Sequence, residues 1–208
     1  LHKMGSNAKP VNTFINYYMW RNRIHFFMKY TPEEKLDRMS YCILSSVFDA
    51  MYESMYREEH NIMQTISYAY YDAIRDVRGK ASDGKIRNND ASDSRFQSYL
   101  QTKKTYYLKA DTTEEEQEAQ AFIEALQTEC QRVEQESDAD VTIVVCPYIM
   151  RCKREQYPEK NQIVLDSYKN VILDESDWEA VSQYDYAKSL FIYMNQGAFL
   201  EATKALRK

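Results

Sequence analysis

The sequence predicts an α+β protein, predominantly helical: an N-terminal helical half, then a smaller C-terminal α/β half with a short sheet and a terminal helical hairpin. Three observations carry this. Gly and Pro number only four each among 208 residues, so long stretches run without a backbone breaker. Apolar residues from Leu36 to Val77 recur in steps of three and four, the helical period. The densest β-branched run, VTIVVC at 141–146, lies in the C-terminal half.

Taken in order, residues 1–9 read as a disordered tag remnant, with no apolar stretch of the kind a signal peptide carries. The helical region covers 10–79. Residues 11–30 have helical length and aromatic side chains on most faces. Thr31-Pro32-Glu33-Glu34 reads as an N-cap, a first-turn proline and a capping box, so a helix is expected from 31. The polar run Arg57-Glu58-Glu59-His60-Asn61 interrupts the following stripe, which favours two helices over a single long one. Residues 80–95, rich in Asn, Asp, Ser and Gly, read as a flexible linker or loop.

From 96 to 208 the pattern changes. A strand is expected over 105–110. An acidic helix capped by Asp111 or Thr112 should carry Ala119, Phe122, Ile123, Leu126, Cys130 and Val133 on one face. The run 141–146 then completes a β-α-β unit. Short strands follow at 162–165 and 170–173. Ser176 and Glu179 open a helix that Gly197 ends, and 198–206 form the last one.

The net charge is −5 and unevenly spread: residues 1–32 hold no acid, and 111–140 hold eleven acids against the single base Arg132. Overall acidity argues against non-specific nucleic-acid binding, although the basic arm at 9–30 keeps that function open locally. No run approaches the ~20 apolar residues of a membrane span. The four cysteines, Cys42, Cys130, Cys146 and Cys152, contain no Cys-x-x-Cys pair, and the three histidines are scattered. This suits reduced thiols and a cytoplasmic protein, with no zinc site. Asp49, Glu53, Glu58, Glu59 and His60 lack the repeated Glu-x-x-His of a di-metal bundle and read as a solvated face or a helix junction. Gly-rich phosphate loops and nucleophile elbows are absent from the sequence, so neither a cofactor nor a metal is expected.

Cys146 is the one catalytic candidate, because the carboxyl end of a buried strand is where many α/β enzymes place a nucleophile. A phosphatase loop needs Arg after five intervening residues, and Arg151 comes one position early. Cys146-Pro147-Tyr148 is similar to the Cys-Pro-Tyr-Cys of glutaredoxins, with Ile149 in place of the resolving cysteine. With no second thiol at that spacing, Cys146 is expected to be a buried, unreactive side chain.

Trp20, Arg21 and Arg23 combine cations with an aromatic ring, a mixture suited to single-stranded nucleic acid, to an interfacial membrane helix, to a protein interface, or to a core helix with snorkelling arginines, the last being favoured. Tyr52 and Tyr56 share a helix face beside Met51 and Met55, and so much Tyr and Met points to a binding surface. Tyr186, Leu190, Tyr193, Gly197, Phe199 and Ala202 resemble a single tetratricopeptide repeat over about 23 residues. No second copy follows, so the segment is read as a helical hairpin; the resemblance implies a peptide-binding groove. The leading function is that of a non-enzymatic, cytosolic interaction or assembly protein, with a protein partner or a homo-oligomer. The alternatives are an enzyme with its site in the C-terminal half, at Cys146 or carboxylates, and a nucleic-acid binder using the N-terminal helix.

Overall fold

The computed structural model describes residues 12–89, 95–157 and 159–208. The segment 1–9 and part of the expected linker, 90–94, lie outside these residues. In chain order the elements are helices α1 (Phe14–Tyr30), α2 (Leu36–Tyr56), α3 (His60–Ile74) and α4 (Arg95–Gln101), strand β1 (Thr105–Lys109), helix α5 (Thr113–Ala125), strands β2 (Gln131–Arg132), β3 (Val141–Cys146), β4 (Gln162–Asp166) and β5 (Val171–Ile172), and helix α6 (Glu175–Leu206). The fold is α+β and mostly helical, with one small mixed sheet. It divides into two units. One holds the described residues up to 89 together with 186–208, and the other the described residues from 95 to 185.

The helical unit is built on one face of each helix. Tyr17, Ile24 and Met28 of α1, Leu44 and Val47 of α2, Ile66, Ala69, Tyr70 and Ala73 of α3, and Ile192 and Phe199 of α6 form its buried core. The rings of Tyr70 and Phe199 lie parallel with centroids 6.4 Å apart. Lys188 pairs with Asp49 at 2.8 Å and ties α6 to α2. Arg207 donates to the carbonyls of Met28 and Thr31, each at 2.7 Å, and so satisfies acceptors that the end of α1 leaves open.

The polar run at 57–61 does split two helices. Glu58 takes a left-handed backbone (φ 61°). The Glu58 N–H reaches the Met55 carbonyl at 3.0 Å and the Glu59 N–H reaches Ser54 at 2.7 Å. Asp76 (φ 53°) closes α3 in the same manner, with N–H bonds from Asp76 to Ala73 and from Val77 to Asp72. Both ends are Schellman motifs built without glycine.

Thr31 does not start a helix. It is extended and closes α1, its N–H bonding the Phe27 carbonyl. The expected capping box is replaced by a single tight turn over Glu33–Lys35. Residues 79–89, read from composition as linker, are bonded to α1 and α3. Lys85 Nζ reaches Asp72 at 2.6 Å, the Ala81 N–H reaches the Tyr18 hydroxyl at 3.0 Å, and Thr13 exchanges bonds with Arg87.

In the α/β unit the sheet order is β2-β1-β3-β4-β5. The first four strands run parallel, and β5 pairs antiparallel with β4. The expected β-α-β unit is β1-α5-β3, and α5 starts with a complete capping box of Thr112 and Glu115. Central β3 is flanked by a strand on each side, which explains its continuous apolar run. Phe96 and Leu100 of α4 and Ala119 and Ile123 of α5 are buried with Tyr106, Leu108, Ile143, Val145, Ile163 and Leu165.

The terminal hairpin is not formed. Helix α6 continues through Gly197 to Leu206 as one element. A mid-helix glycine costs only ~1 kcal/mol, which a 32-residue helix anchored by Ile192 and Phe199 absorbs. Its start also differs from expectation. Asp174, not Ser176, receives the first-turn N–H groups, from Ser176 at 2.9 Å and Asp177 at 3.1 Å.

Candidate functional sites

The carboxyl ends of β3 and β4 carry the reactive groups of the α/β unit. Strand alternation places Val145 on the α5 side and Cys146 on the opposite face. Pro147 ends the strand, and one tight turn, Ile149–Arg151, brings the chain back. That return sets the Cys152 sulfur 3.5 Å from the Cys146 sulfur and 3.5 Å from the Tyr157 hydroxyl. Cys146 is buried and Cys152 partly exposed. The second thiol, which the Cys-x-x-Cys spacing did not supply, is therefore present. The signal available in sequence was the pair Cys146 and Cys152 itself, around a proline-initiated turn.

The contact between the two thiols shifts them in opposite directions. Cys152 is pulled down to about 7, first by the Cys146 thiol beside it and then by the Tyr157 hydroxyl, against a burial cost. Cys146 is pushed up by the same contact and by burial. Tyr157 is pushed up chiefly by burial, so its hydroxyl stays protonated and is able to donate to a Cys152 thiolate.

Asp166 fixes this corner. Buried at the end of β4, its carboxylate accepts from the backbone N–H groups of Ile149 (3.1 Å), Tyr168 (2.9 Å) and Asn170 (2.9 Å), and from the Asn170 side chain (3.0 Å). It thereby joins the turn that carries Cys152 to the β4–β5 hairpin. On the α5 side of the same strand ends lies a crevice of about 360 Å³. Phe122, Val145 and Leu165 supply its apolar wall, and Glu115, Glu118, Asp166 and Lys169 its charged one. Ligands of open α/β sheets bind at this edge.

In the helical unit, the basic arm is partitioned by burial. Trp20 and Arg21 are buried, and Arg21 donates to the Gly79 carbonyl at 2.9 Å and lies over the Tyr17 and Tyr18 rings. Arg23 is exposed, with its guanidinium 5.3 Å from the Trp20 ring centre. Arg21, His25, Lys29 and Arg78 line a basic notch of about 360 Å³. Burial lowers the His25 pKa despite Asp76 at 3.6 Å. Tyr52 is buried against Phe48, and Tyr56 is half-buried. Around the carboxylates at 49–59, Arg57 pairs with Glu53 and Glu59. Among the described residues, no three metal-ligating side chains cluster.

The most exposed apolar surface lies on α6. Tyr186 (70%), Leu190 (43%), Tyr193 (85%) and Met194 (71%) stand open to solvent in one stripe. Gly197 follows one turn beyond Tyr193 on the same face, with nothing within 4 Å of where a Cβ would stand. Of the positions whose spacing suggested a closed hairpin, Tyr186, Leu190, Tyr193 and Gly197 face outward in the continuous helix, while Phe199 faces the core with Phe191 and Ile192. A second stripe, Ile15, Met19, Phe26 and Tyr30, runs along the exposed side of α1.

Compared with protein-family models, curated proteins and solved structures, the chain matches none. No described helix is long and apolar enough to cross a membrane. The functional reading therefore rests on the chain's own surfaces and side chains.

Proposed function

We propose that this chain is a non-enzymatic assembly protein whose helical unit pairs with a second copy of itself through α6. The observation that supports the reading is the open stripe Tyr186, Leu190, Tyr193 and Met194, followed on the same face by Gly197. Isolated apolar side chains on a surface are ordinary, but a contiguous stripe of large ones marks an interaction site.

The stripe is self-complementary. An antiparallel pairing about a two-fold axis near residue 195 sets Tyr193 of one copy over Gly197 of the other, a large side chain against the one position without any. The same register places Tyr186 beside the other copy's Lys204, a cation–π pair, and Ser189 beside Glu201. A two-fold interface requires this reciprocity.

Light scattering coupled to size exclusion at two protein concentrations checks the reading. A dimer is expected, populated more at the higher concentration and abolished by Tyr193→Glu. A strict monomer at high concentration removes its support. Gly197→Ala separates folding from association: with open space at the Cβ, it should raise helix stability by ~0.5–1 kcal/mol. The same methyl obstructs the partner's Tyr193 and is expected to weaken the dimer. An equal gain in both measurements would argue against close pairing at this position.

A further inference from the structure

We infer that Cys146 and Cys152 form a dithiol exchange site that reduces small aliphatic disulfides and is itself oxidised to an intramolecular disulfide. The two sulfurs are 3.5 Å apart on a return held by Asp166. They differ in access: Cys152 is partly exposed and Cys146 buried behind it, which assigns the attacking thiol and the resolving thiol.

The surroundings act in the same sense: the Cys146 thiol and the Tyr157 hydroxyl lower the Cys152 pKa and so favour its thiolate, the attacking form. The Tyr157 hydroxyl at 3.5 Å donates to that thiolate.

The step balances as follows. The Cys152 thiolate, its proton shed to water, attacks one sulfur of the disulfide RSSR, and the first RS⁻ leaves. That thiolate takes the proton of Cys146 and departs as RSH. The Cys146 thiolate then attacks the Cys152 sulfur of the mixed disulfide, the Cys146–Cys152 bond forms, and the second RS⁻ leaves and is protonated from water. The protein loses two electrons and two protons, and RSSR becomes two RSH.

The test uses the reduced full chain and bis(2-hydroxyethyl) disulfide as the probe, with peptide mapping by mass spectrometry. The expected product carries a Cys146–Cys152 cross-link and the mass loss of two hydrogens at that peptide pair. Cys146→Ser should stop at a stable mixed disulfide on Cys152. Cys152→Ser should leave Cys146 unmodified. Tyr157→Phe should slow the wild-type reaction severalfold at pH 7 and move its pH profile upward, a change that a merely structural role would not produce.

A mixed disulfide on Cys152 that persists in the wild type, or cross-linking that favours Cys42 or Cys130, would overturn the inference. Circular dichroism of each variant distinguishes loss of chemistry from loss of fold; if both cysteine variants unfold, alkylation rates of wild-type Cys152 against exposed Cys42 decide. Slower alkylation at Cys152 than at Cys42 at pH 7 then refutes it, and faster alkylation supports it.

Discussion

Asp72→Ala is expected to lower the unfolding free energy by about 3–5 kcal/mol, the range for removing one partner of a buried ion pair. Asp72 is buried on α3 and collects the Tyr17 hydroxyl of α1 and the Lys85 ammonium of the 79–89 segment, the latter at 2.6 Å. Its carboxylate and the neighbouring Arg21 push the Tyr17 hydroxyl in opposite senses. Burial dominates, and the pKa of Tyr17 is driven up to about 12. Alanine would leave Lys85 without its counter-charge and the Tyr17 hydroxyl without an acceptor. Lys85→Ala should cost less, because the lysine is a quarter exposed and Asp72 would keep the tyrosine. Urea unfolding followed by circular dichroism measures both. Limited proteolysis gives an independent reading: 79–89 should resist in the wild type and become the first cleavage site in Asp72→Ala. A loss below about 1 kcal/mol would show that water replaces the carboxylate at little cost.

The two units divide within the expected 80–95 linker, and this network shows what composition could not, that its first part is bonded to the helical unit. Residues 80–89 contain Gly, Asn, Asp and Ser, but the bonds that hold them come from Tyr18, Thr13 and Asp72, fifteen or more residues away in most cases and invisible to a local reading. Helix ends were obscured for a related reason. Glu58, Asp76 and Gln127 each take the left-handed position at or just after a helix end where glycine is the usual signal. With four glycines in the chain, stops had to be made by other residues. The helical period and the β-branched run of β3 were legible because each reports a burial pattern contained within one element. The two-residue exposed strand β2 reports none, and neither it nor the seven-residue α4 was expected.

The candidate sites divide along the same line. Cys146 could be picked out because a buried strand precedes it. Its partner could not, since the 3.5 Å approach of Cys152 depends on the turn at Ile149–Arg151 and on a carboxylate from β4. On α6 the spacing of Tyr186, Leu190, Tyr193 and Gly197 was visible, and periodicity identifies such a face without saying which way it points. The buried Ile192 and Phe199 settle that, turning the stripe to solvent.

Asp166→Ala should be the costliest change in the α/β unit, about 3 kcal/mol. The carboxylate accepts four N–H bonds, and two of the donors, the backbone N–H groups of Ile149 and Asn170, belong to fully buried residues that water would not reach. Each orphaned buried donor costs ~1–3 kcal/mol, while the exposed Tyr168 should recover its bond from solvent. The β4–β5 hairpin loses its clasp as well, since Lys169 sits in the left-handed region (φ 67°) and relies on Asp166 to hold the turn from both sides. Asp166→Asn keeps the size but presents an amide that can accept through one oxygen only, so an intermediate loss is expected. Asn170→Ala removes a single side-chain donor and should cost ~1 kcal/mol. Thermal and urea unfolding rank the three. The same series tests what positions the thiols: because Asp166 fastens Ile149, and Ile149 starts the turn that returns Cys152, Asp166→Ala should slow Cys146–Cys152 cross-linking more than Asn170→Ala does, under conditions where both remain folded. Equal rates in the two variants would mean that the turn holds the sulfurs together without help from β4.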